Sequence, residues 1–209
     1  MSLRRLLTVP TALTFATLLL IWRVSATTGY DSHRFLAWNL ALAWVPLLAS
    51  LVLYRLRRRS ALWLAPLALI WLLFLPNAPY LVTDLIHYGK LNPRVAHWLD
   101  FATLSAAAAA GLSIGLLSLR YAQAAFATRI GERSRLLVAG AVATCGCGVY
   151  MGRVLRLNSW DVAHPNHVAS LLLPRLSSPQ AHPLMIGGIV LFSLALWLAY
   201  AACCSFVHE

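Results

Sequence analysis

The chain has 209 residues, of which 60% are hydrophobic and only 11% are charged, and its mean hydropathy is +0.72. These values lie far outside the range of soluble globular proteins, so the sequence predicts a single integral membrane domain over residues 1–209. The formal net charge of +11 does not indicate nucleic-acid binding, because the basic residues stand in short clusters between apolar runs, as they do in membrane proteins.

The first apolar run covers residues 9–22 and extends to about Ala26 if Arg23 reaches back to the membrane surface. Because basic residues precede the run and small residues follow it, the run resembles a signal peptide. Its extended length favours an uncleaved first span instead.

Five further apolar runs are each near the ~20 residues that a helix needs to cross a bilayer. A single segment in lipid must satisfy its own backbone hydrogen bonds, so each run is predicted to be helical. The sequence therefore predicts an all-α polytopic transmembrane bundle of about six spans. The five runs cover residues 35–54, 61–75, 99–119, 136–151 and 184–206.

The third span is predicted to break at Pro76 and Pro79, because proline fixes φ and removes a backbone donor. The helix that begins at Ala61 should end near Leu75. Asn77 is then expected to cap a second helix, with Pro79 in its first turn.

Tyr80, Asp84 and His87 follow at positions i, i+4 and i+7 of that second helix and should form one polar stripe. We interpret His87, tuned by Asp84, as a candidate acid–base catalyst, with Asn77 and Tyr80 as candidate ligand-binding residues. Two alternatives remain open for this stripe, namely a hydrogen-bonded polar core without catalysis and a shared metal ion. No metal site is predicted, because the sequence identifies no third and fourth ligand.

Cysteines give no sign of a disulfide framework. Cys145, Cys147, Cys203 and Cys204 all lie inside apolar runs and are expected to act as small buried hydrophobes.

The loops set the predicted orientation. If the N-terminus is cytoplasmic, ten of the seventeen basic residues lie inside, in the shorter loops, as the positive-inside rule requires. Both termini are then cytoplasmic, and all four aspartates and six of the seven histidines, including His182, lie on the outer side. The ten inner residues are Arg4, Arg5, Arg55, Arg57, Arg58, Arg59, Arg120, Arg129, Arg133 and Arg135.

A second polar cluster follows the fifth span and reads GRVLRLNSWD. Arg153 and Arg156 are predicted to share one helix face, and paired guanidinium groups suit a bidentate grip on phosphate or carboxylate. Asn158 and Asp161 complete the candidate ligand-binding set. The alternative is that the arginines only neutralise aspartates across the bundle. In either case we expect the Tyr80–Asp84–His87 stripe to contact one of the two arginines.

Small residues recur within the later spans, as in Gly111-x-x-x-Gly115 and Gly148-x-x-x-Gly152. This spacing is typical of close helix packing in membranes. The string from Gly111 to Gly115 also matches the G-x-S-x-G nucleophile elbow, but that motif requires a strand-to-helix turn and this string lies within a predicted helix.

Three blocks, LAWNLALAWVP (36–46), FLPNAPYLVTDLIH (74–87) and GRVLRLNSWD (152–161), resemble the signature blocks of a bacterial family of multispanning membrane proteins known as a domain of unknown function. The resemblance covers about residues 35–205. It implies a bacterial cytoplasmic-membrane protein and brings no activity, substrate or catalytic residue with it.

Three functions fit these residues. The first is an outer-face enzyme or binding protein for an anionic ligand that is lipid-linked or phosphorylated. The second is a small ion- or proton-coupled transporter built around the broken span. The third is a structural or assembly protein without a ligand. The expected partners are membrane lipid and the anionic ligand, with a homo-oligomer or larger membrane complex as a further option, and no residue pattern identifies a cofactor.

Overall fold

The computed structural model describes residues 3–178 and 183–205, and the regular elements of these residues are all helices. Short 3₁₀ turns follow three of the α-helices, at Asp84–His87, Gly131–Arg133 and Ser159–Ala163. The α-helices are α1 (Leu3–Thr28), α2 (Arg34–Leu56), α3 (Ala61–Phe74), α4 (Asn77–Thr83), α5 (His97–Ile130), α6 (Ser134–Val154), α7 (Pro165–Ser177) and α8 (Pro183–Ser205).

Side-chain contacts show that the central spans alternate in direction. Asn39 near the start of α2 donates a hydrogen bond to Asp84, whereas Tyr54 near the end of α2 packs against Tyr121 of α5. Arg153 at the end of α6 returns to Asp84. We call the two ends of the bundle the Asp84 end and the arginine end. The arginine end carries Arg55, Arg57, Arg58, Arg59, Arg129 and Arg133.

The outer helices follow the same alternation. Val24 near the end of α1 packs with Val95 and Leu99 at the Asp84 end. Tyr200 near the end of α8 hydrogen-bonds to Gln123 in the second half of α5. Therefore α1 begins and α8 ends at the arginine end.

Five stretches of the described residues are long and apolar enough to cross a membrane. One of them, His97–Val154, is 58 residues long and contains both α5 and α6, which run in opposite directions. The predicted all-α bundle of about six apolar spans is therefore confirmed, including the break in the third span. The other four stretches are Leu6–Thr28, Arg34–Leu56, Ala61–His87 and Met185–Cys204.

Glycines hold the short helix α4 between α5 and α6. A Cβ atom added to Gly148 of α6 would lie 2.5 Å from the Cγ of Pro76, and one added to Gly115 of α5 would lie 3.3 Å from the Cβ of Ala78. Gly111 packs on the backbone of the same Ala78. The two small-residue motifs thus bring the break in the third span into direct contact with both neighbouring helices.

Three features differ from the predicted elements. Helix α4 ends at Thr83, so Asp84 and His87 lie in the following 3₁₀ turn and not on the same α-helix as Tyr80. Helix α5 continues to Ile130, beyond the predicted end at Leu119, because its last turns are helical but too polar for an apolar-run criterion. Helix α7 was not predicted, since it is short and amphipathic. His182 and Phe206, the predicted last residue of the sixth span, lie outside the described residues.

Candidate functional site

The break in the third span brings polar groups to the Asp84 end. Helix α3 ends at Phe74 and α4 begins at Asn77, with Pro79 in its first turn, as predicted. The predicted capping role of Asn77 is wrong, because Pro76 already has helical dihedral angles and is the N-cap residue. The Asn77 amide instead donates to the Phe74 carbonyl and to the Ser159 hydroxyl, both at 2.9 Å.

The predicted polar stripe converges on one guanidinium group. Arg153 makes a 2.5 Å salt bridge with Asp84, which is 1% exposed, and its Nη1 lies 3.1 Å from Nε2 of His87. The guanidinium group also stacks over the Tyr80 ring, 4.4 Å from its centroid, and donates to the hydroxyl of Thr83 at 2.6 Å. We call these five residues, Tyr80, Thr83, Asp84, His87 and Arg153, the Arg153 cluster.

The Arg153 cluster leaves Asp84 and His87 little freedom to react. Arginine has only donors, so the Nε2 atom of His87 must accept the bond and carries no proton in this arrangement. The second carboxylate oxygen of Asp84 accepts a 3.1 Å bond from the amide of Asn39. A cation at Asp84 would be repelled by the adjacent guanidinium group, so the cluster does not suit a metal ion.

Arg156 does not share a helix face with Arg153, and this prediction is wrong. Helix α6 ends at Val154, and the backbone N–H groups of Leu155 and Leu157 both donate to the Met151 carbonyl at 3.1 Å. A left-handed residue is common just beyond the end of a helix, and that position usually holds glycine. Here the residue is Arg156, with φ of 57°.

Arg156 lines a cavity of about 590 Å³ between α2, α3, α4, α6 and the 3₁₀ turn at Ser159–Ala163. One part of the wall is apolar and includes Leu42, Leu72 and Met151. The other part is polar and includes Asn39, Asn77, Tyr80, Asn158, Ser159 and Asp161. Five of the six predicted ligand-binding residues therefore line this cavity. The sixth, Arg153, packs with Asp84 and His87 behind the Tyr80 ring.

Asn158 and Asp161 also shape the cavity wall. They form a capping box around the 3₁₀ turn, in which the Asn158 backbone N–H donates to Asp161 Oδ2 at 2.7 Å. Asp161 forms no salt bridge with either arginine among the described residues, although the sequence left that pairing open as an alternative. The turn holds Ser159 where its hydroxyl accepts the bond from Asn77.

A second buried pair was missed by sequence reasoning. His33 is 1% exposed, and its Nε2 lies 2.7 Å from Oδ1 of Asp100, which is 4% exposed. The other oxygen of Asp100 accepts a 2.6 Å bond from the backbone N–H of Gly89. The pair therefore fixes the chain that leaves the 3₁₀ turn at Asp84–His87. No pattern in the sequence links His33 to Asp100, because their contact depends on the rotation and relative height of two helices.

Exposed aromatic side chains surround the Asp84 end. Trp38 of α2 contacts Trp160 of the 3₁₀ turn, with ring centroids 6.5 Å apart, next to the cavity-lining residues Asn39 and Ser159. Such rings are enriched where membrane proteins meet the lipid–water interface. The position fits a cavity at headgroup depth. Exposed rings at this end include Tyr30, Trp38, Tyr88, Trp98, Phe101 and Trp160.

A family model described as "Protein of unknown function (DUF1361)" matches residues 38–198, which is more than half of the chain. The chain belongs to the DUF1361 family. No curated protein and no solved structure matches it. The DUF1361 region begins within α2 and includes the Arg153 cluster and every cavity-lining residue, whereas α1 and His33 precede it.

The cysteines of this DUF1361 protein differ in environment. Cys145 is buried in the core, as predicted, and Cys203 and Cys204 are partly buried. Cys147 is exposed and lines the cavity, so the prediction that all four thiols are buried is wrong for this residue. Within the described part of the chain, no group of three or more metal-ligating side chains is found.

Proposed function

We propose that this membrane protein binds an amphipathic anionic ligand, lipid-linked or phosphorylated, in the cavity beside the broken span. Arg156 contacts the anionic group, and the apolar wall formed by Leu42, Leu72 and Met151 contacts the chain that carries it. Asn77, Tyr80, Asn158 and Asp161 provide the remaining polar contacts.

The backbone of Arg156 carries this proposal. Among the described residues it is the one non-glycine residue with positive φ, and the left-handed conformation costs about 1–2 kcal/mol for an L-residue. Glycine would allow the same helix ending without strain, whereas Arg156 places at the cavity wall a guanidinium group that has no hydrogen bond or salt bridge to any described residue. Strain of this kind is typical of ligand-binding positions.

Arg153 takes a supporting role in this proposal. Its guanidinium group is already bound by Asp84, Thr83 and His87, so it holds the Tyr80 ring at the cavity wall and does not grip the ligand. The acid–base role of His87 and Asp84 stays a prediction, and it would require ligand binding to release His87 from Arg153.

Thermal melting with added ligand tests the anion contact. A compound that binds only the folded state raises its stability by RT ln(1 + [L]/Kd), which is about 2.7 kcal/mol at one hundred times Kd. In detergent micelles, dodecyl phosphate should raise the melting temperature of the wild type but not of Arg156→Lys, because lysine lacks the planar fork.

Arg94→Lys is the matched control, since Arg94 is an exposed arginine at the same end that contacts Tyr30 and lies outside the cavity wall. Its response to dodecyl phosphate should equal that of the wild type. If no concentration of dodecyl phosphate shifts the wild-type melting temperature, the ligand proposal fails.

We also propose that the membrane is the bacterial cytoplasmic membrane and that the arginine end faces the cytoplasm. The support is the concentration of arginines at that end and the sequence blocks described above. A membrane-impermeant thiol reagent applied to intact cells should label a cysteine at Asn166 and not one at Arg58, in a background without other cysteines. The opposite labelling pattern would invert the topology.

A structural role without a ligand is the second candidate. The observation that favours it is the Arg153 cluster, in which a charged group near the membrane is fully paired within the protein. On this reading, anionic amphiphiles would not stabilise the protein. Assembly with a second copy or with other membrane proteins would then be the activity to measure, by crosslinking in membranes. A transporter role would instead require ion-dependent flux in proteoliposomes.

A further inference from the structure

The polar atoms of the cavity wall indicate more about the ligand than its charge. We infer that the ligand head group carries hydroxyl groups as well as an anion, so that it is a polyol phosphate or sugar phosphate attached to an apolar chain. This inference rests on the proposed function, because it assumes that the cavity binds a ligand.

Several acceptor atoms of the wall are unpaired among the described residues. Asn39 and Asn77 use their amide N–H groups within the protein, toward Asp84, Phe74 and Ser159, and this leaves both Oδ1 atoms without a donor. Asp161 uses Oδ2 to accept from the Asn158 backbone, and its Oδ1 has no partner in the described residues.

A phosphate group has only acceptors at its ionised oxygens, so it can pair with Arg156 but not with three free carbonyl and carboxylate oxygens. Unpaired polar groups that a ligand buries lower its affinity, so a simple alkyl phosphate leaves this wall unsatisfied. A hydroxyl group both donates and accepts. It can therefore pair with these oxygens and with donors of the same wall that have no acceptor among the described residues, such as the Ser159 and Tyr80 hydroxyls and the Asn158 amide.

The free acceptors also lie on three different elements, α2, α4 and the 3₁₀ turn at Ser159–Ala163. One ammonium group, as in phosphoethanolamine, has three N–H donors at a single point, whereas the hydroxyls of a polyol are spread over the head group. The dispersed acceptors favour the polyol.

Four single-chain lysophospholipids with the same acyl chain separate these chemistries. All four carry phosphate and one free hydroxyl on the glycerol backbone. Lysophosphatidylglycerol and lysophosphatidylinositol add further hydroxyls in the head group, and lysophosphatidylethanolamine adds an ammonium group. Cys147 lines the cavity and provides the readout, since bound ligand should slow its reaction with a maleimide. The protein for this assay keeps Cys147 and carries Cys145→Ala, Cys203→Ala and Cys204→Ala.

At least one of the two polyol lipids should protect Cys147 at about one tenth of the concentration that lysophosphatidic acid requires, because sites built to pair with head-group hydroxyls reject analogues that lack those groups. Asp161→Asn replaces a free acceptor with a donor and should bring the two concentrations within about threefold of each other. The melting temperature of the ligand-free variant shows whether it folds. If it does not, the wild-type lipid series decides alone.

Each contrary result has its own meaning. Equal protection by all four lipids would overturn the hydroxyl inference and leave the anion site intact. Strongest protection by lysophosphatidylethanolamine would overturn it in favour of an ammonium head group. No protection by any lipid, together with no shift in melting temperature, would overturn the proposed function itself.

Discussion

Arg153 and Arg156 are three residues apart, yet their surroundings differ in almost every respect. Arg153 ends a helix, is partly buried and has protein partners for its guanidinium group. Arg156 is exposed at the cavity wall, has no partner among the described residues and holds a strained backbone angle. The ending of α6 separates them, because it turns the chain between the two side chains.

The difference indicates which arginine stabilises the fold and which is available to a ligand. A charge that is paired inside the bundle is costly to disturb but contributes little to recognition. A charge held in a cavity by a strained backbone contributes little to folding and remains free to bind. If this division is right, changes at the Arg153 cluster should lower the stability of the fold, whereas changes at Arg156 should weaken ligand binding and leave the stability nearly unchanged.

The largest effect is expected from Asp84→Ala. Breaking a buried ion pair leaves the remaining charge without compensation, and the cost should be about 3 kcal/mol of unfolding free energy, near the low end for such pairs because the Arg153 side chain is 23% exposed. Denaturant unfolding in mixed micelles measures it.

The double variant Asp84→Leu with Arg153→Met removes both charges and should recover most of the lost stability. If the double variant is as unstable as Asp84→Ala, the ion pair is not the reason for the lost stability. The assignment of Arg153 to the stability of the fold would then lose its support.

A smaller loss is expected when α4 is pushed away from α6. In Gly148→Val the new side chain would overlap the Pro76 ring, and overpacking of this kind costs about 1–3 kcal/mol. Because Pro76 and Gly148 both line the cavity, binding of dodecyl phosphate should weaken as well.

Gly140→Ala on the same helix is the control, since nothing lies within 4 Å of its added Cβ. It should keep or slightly raise the stability, by up to about 1 kcal/mol, because alanine favours helix. Equal losses in the two variants would show that α6 tolerates no substitution in general and that the contact with Pro76 is not special.

Asp100→Ala should cost about 1–3 kcal/mol, because it leaves the buried His33 and the Gly89 N–H without an acceptor. Asp100 is outside the cavity wall, so the ratio of dodecyl phosphate affinities between wild type and variant should stay near one when both are folded. A large change in binding would mean that the chain after His87 helps to position the ligand. That result would contradict the assignment of ligand binding to the cavity wall around Arg156.

The sequence was sufficient to predict the helical class, the break at Pro76 and the approach of Tyr80, Asp84 and His87 to an arginine. These features follow from lipid solvation, proline geometry and the cost of isolated charge near a membrane. The position of Arg156 away from Arg153 could not be predicted. The left-handed residue just beyond a helix is usually glycine, so an arginine at that position does not indicate that the helix ends there.

The Ser32–His33 segment shows a second limit of prediction. His33 lies in a loop that looks solvent-exposed in the sequence, and only the folded chain brings Asp100 within 2.7 Å of it. Pairing across two helices depends on their rotation and relative height, which hydrophobic patterns near the membrane surface do not specify, because almost every face of these helices is apolar.

The smallest expected effect on stability is also the most direct test of the division. Arg156→Gly removes the guanidinium group and the backbone strain together, because glycine adopts positive φ without a steric cost. The ligand-free variant should therefore be as stable as the wild type or more stable by up to about 1 kcal/mol, although a charged residue has been deleted beside a salt-bridge cluster. At the same time, dodecyl phosphate should no longer raise its melting temperature. These two results together would show that Arg156 destabilises the ligand-free fold and stabilises the complex with the ligand. If Arg156→Gly instead lowers the stability by as much as Asp84→Ala, then Arg156 stabilises the fold as Arg153 does. It would then not be the cation that binds a ligand in the cavity.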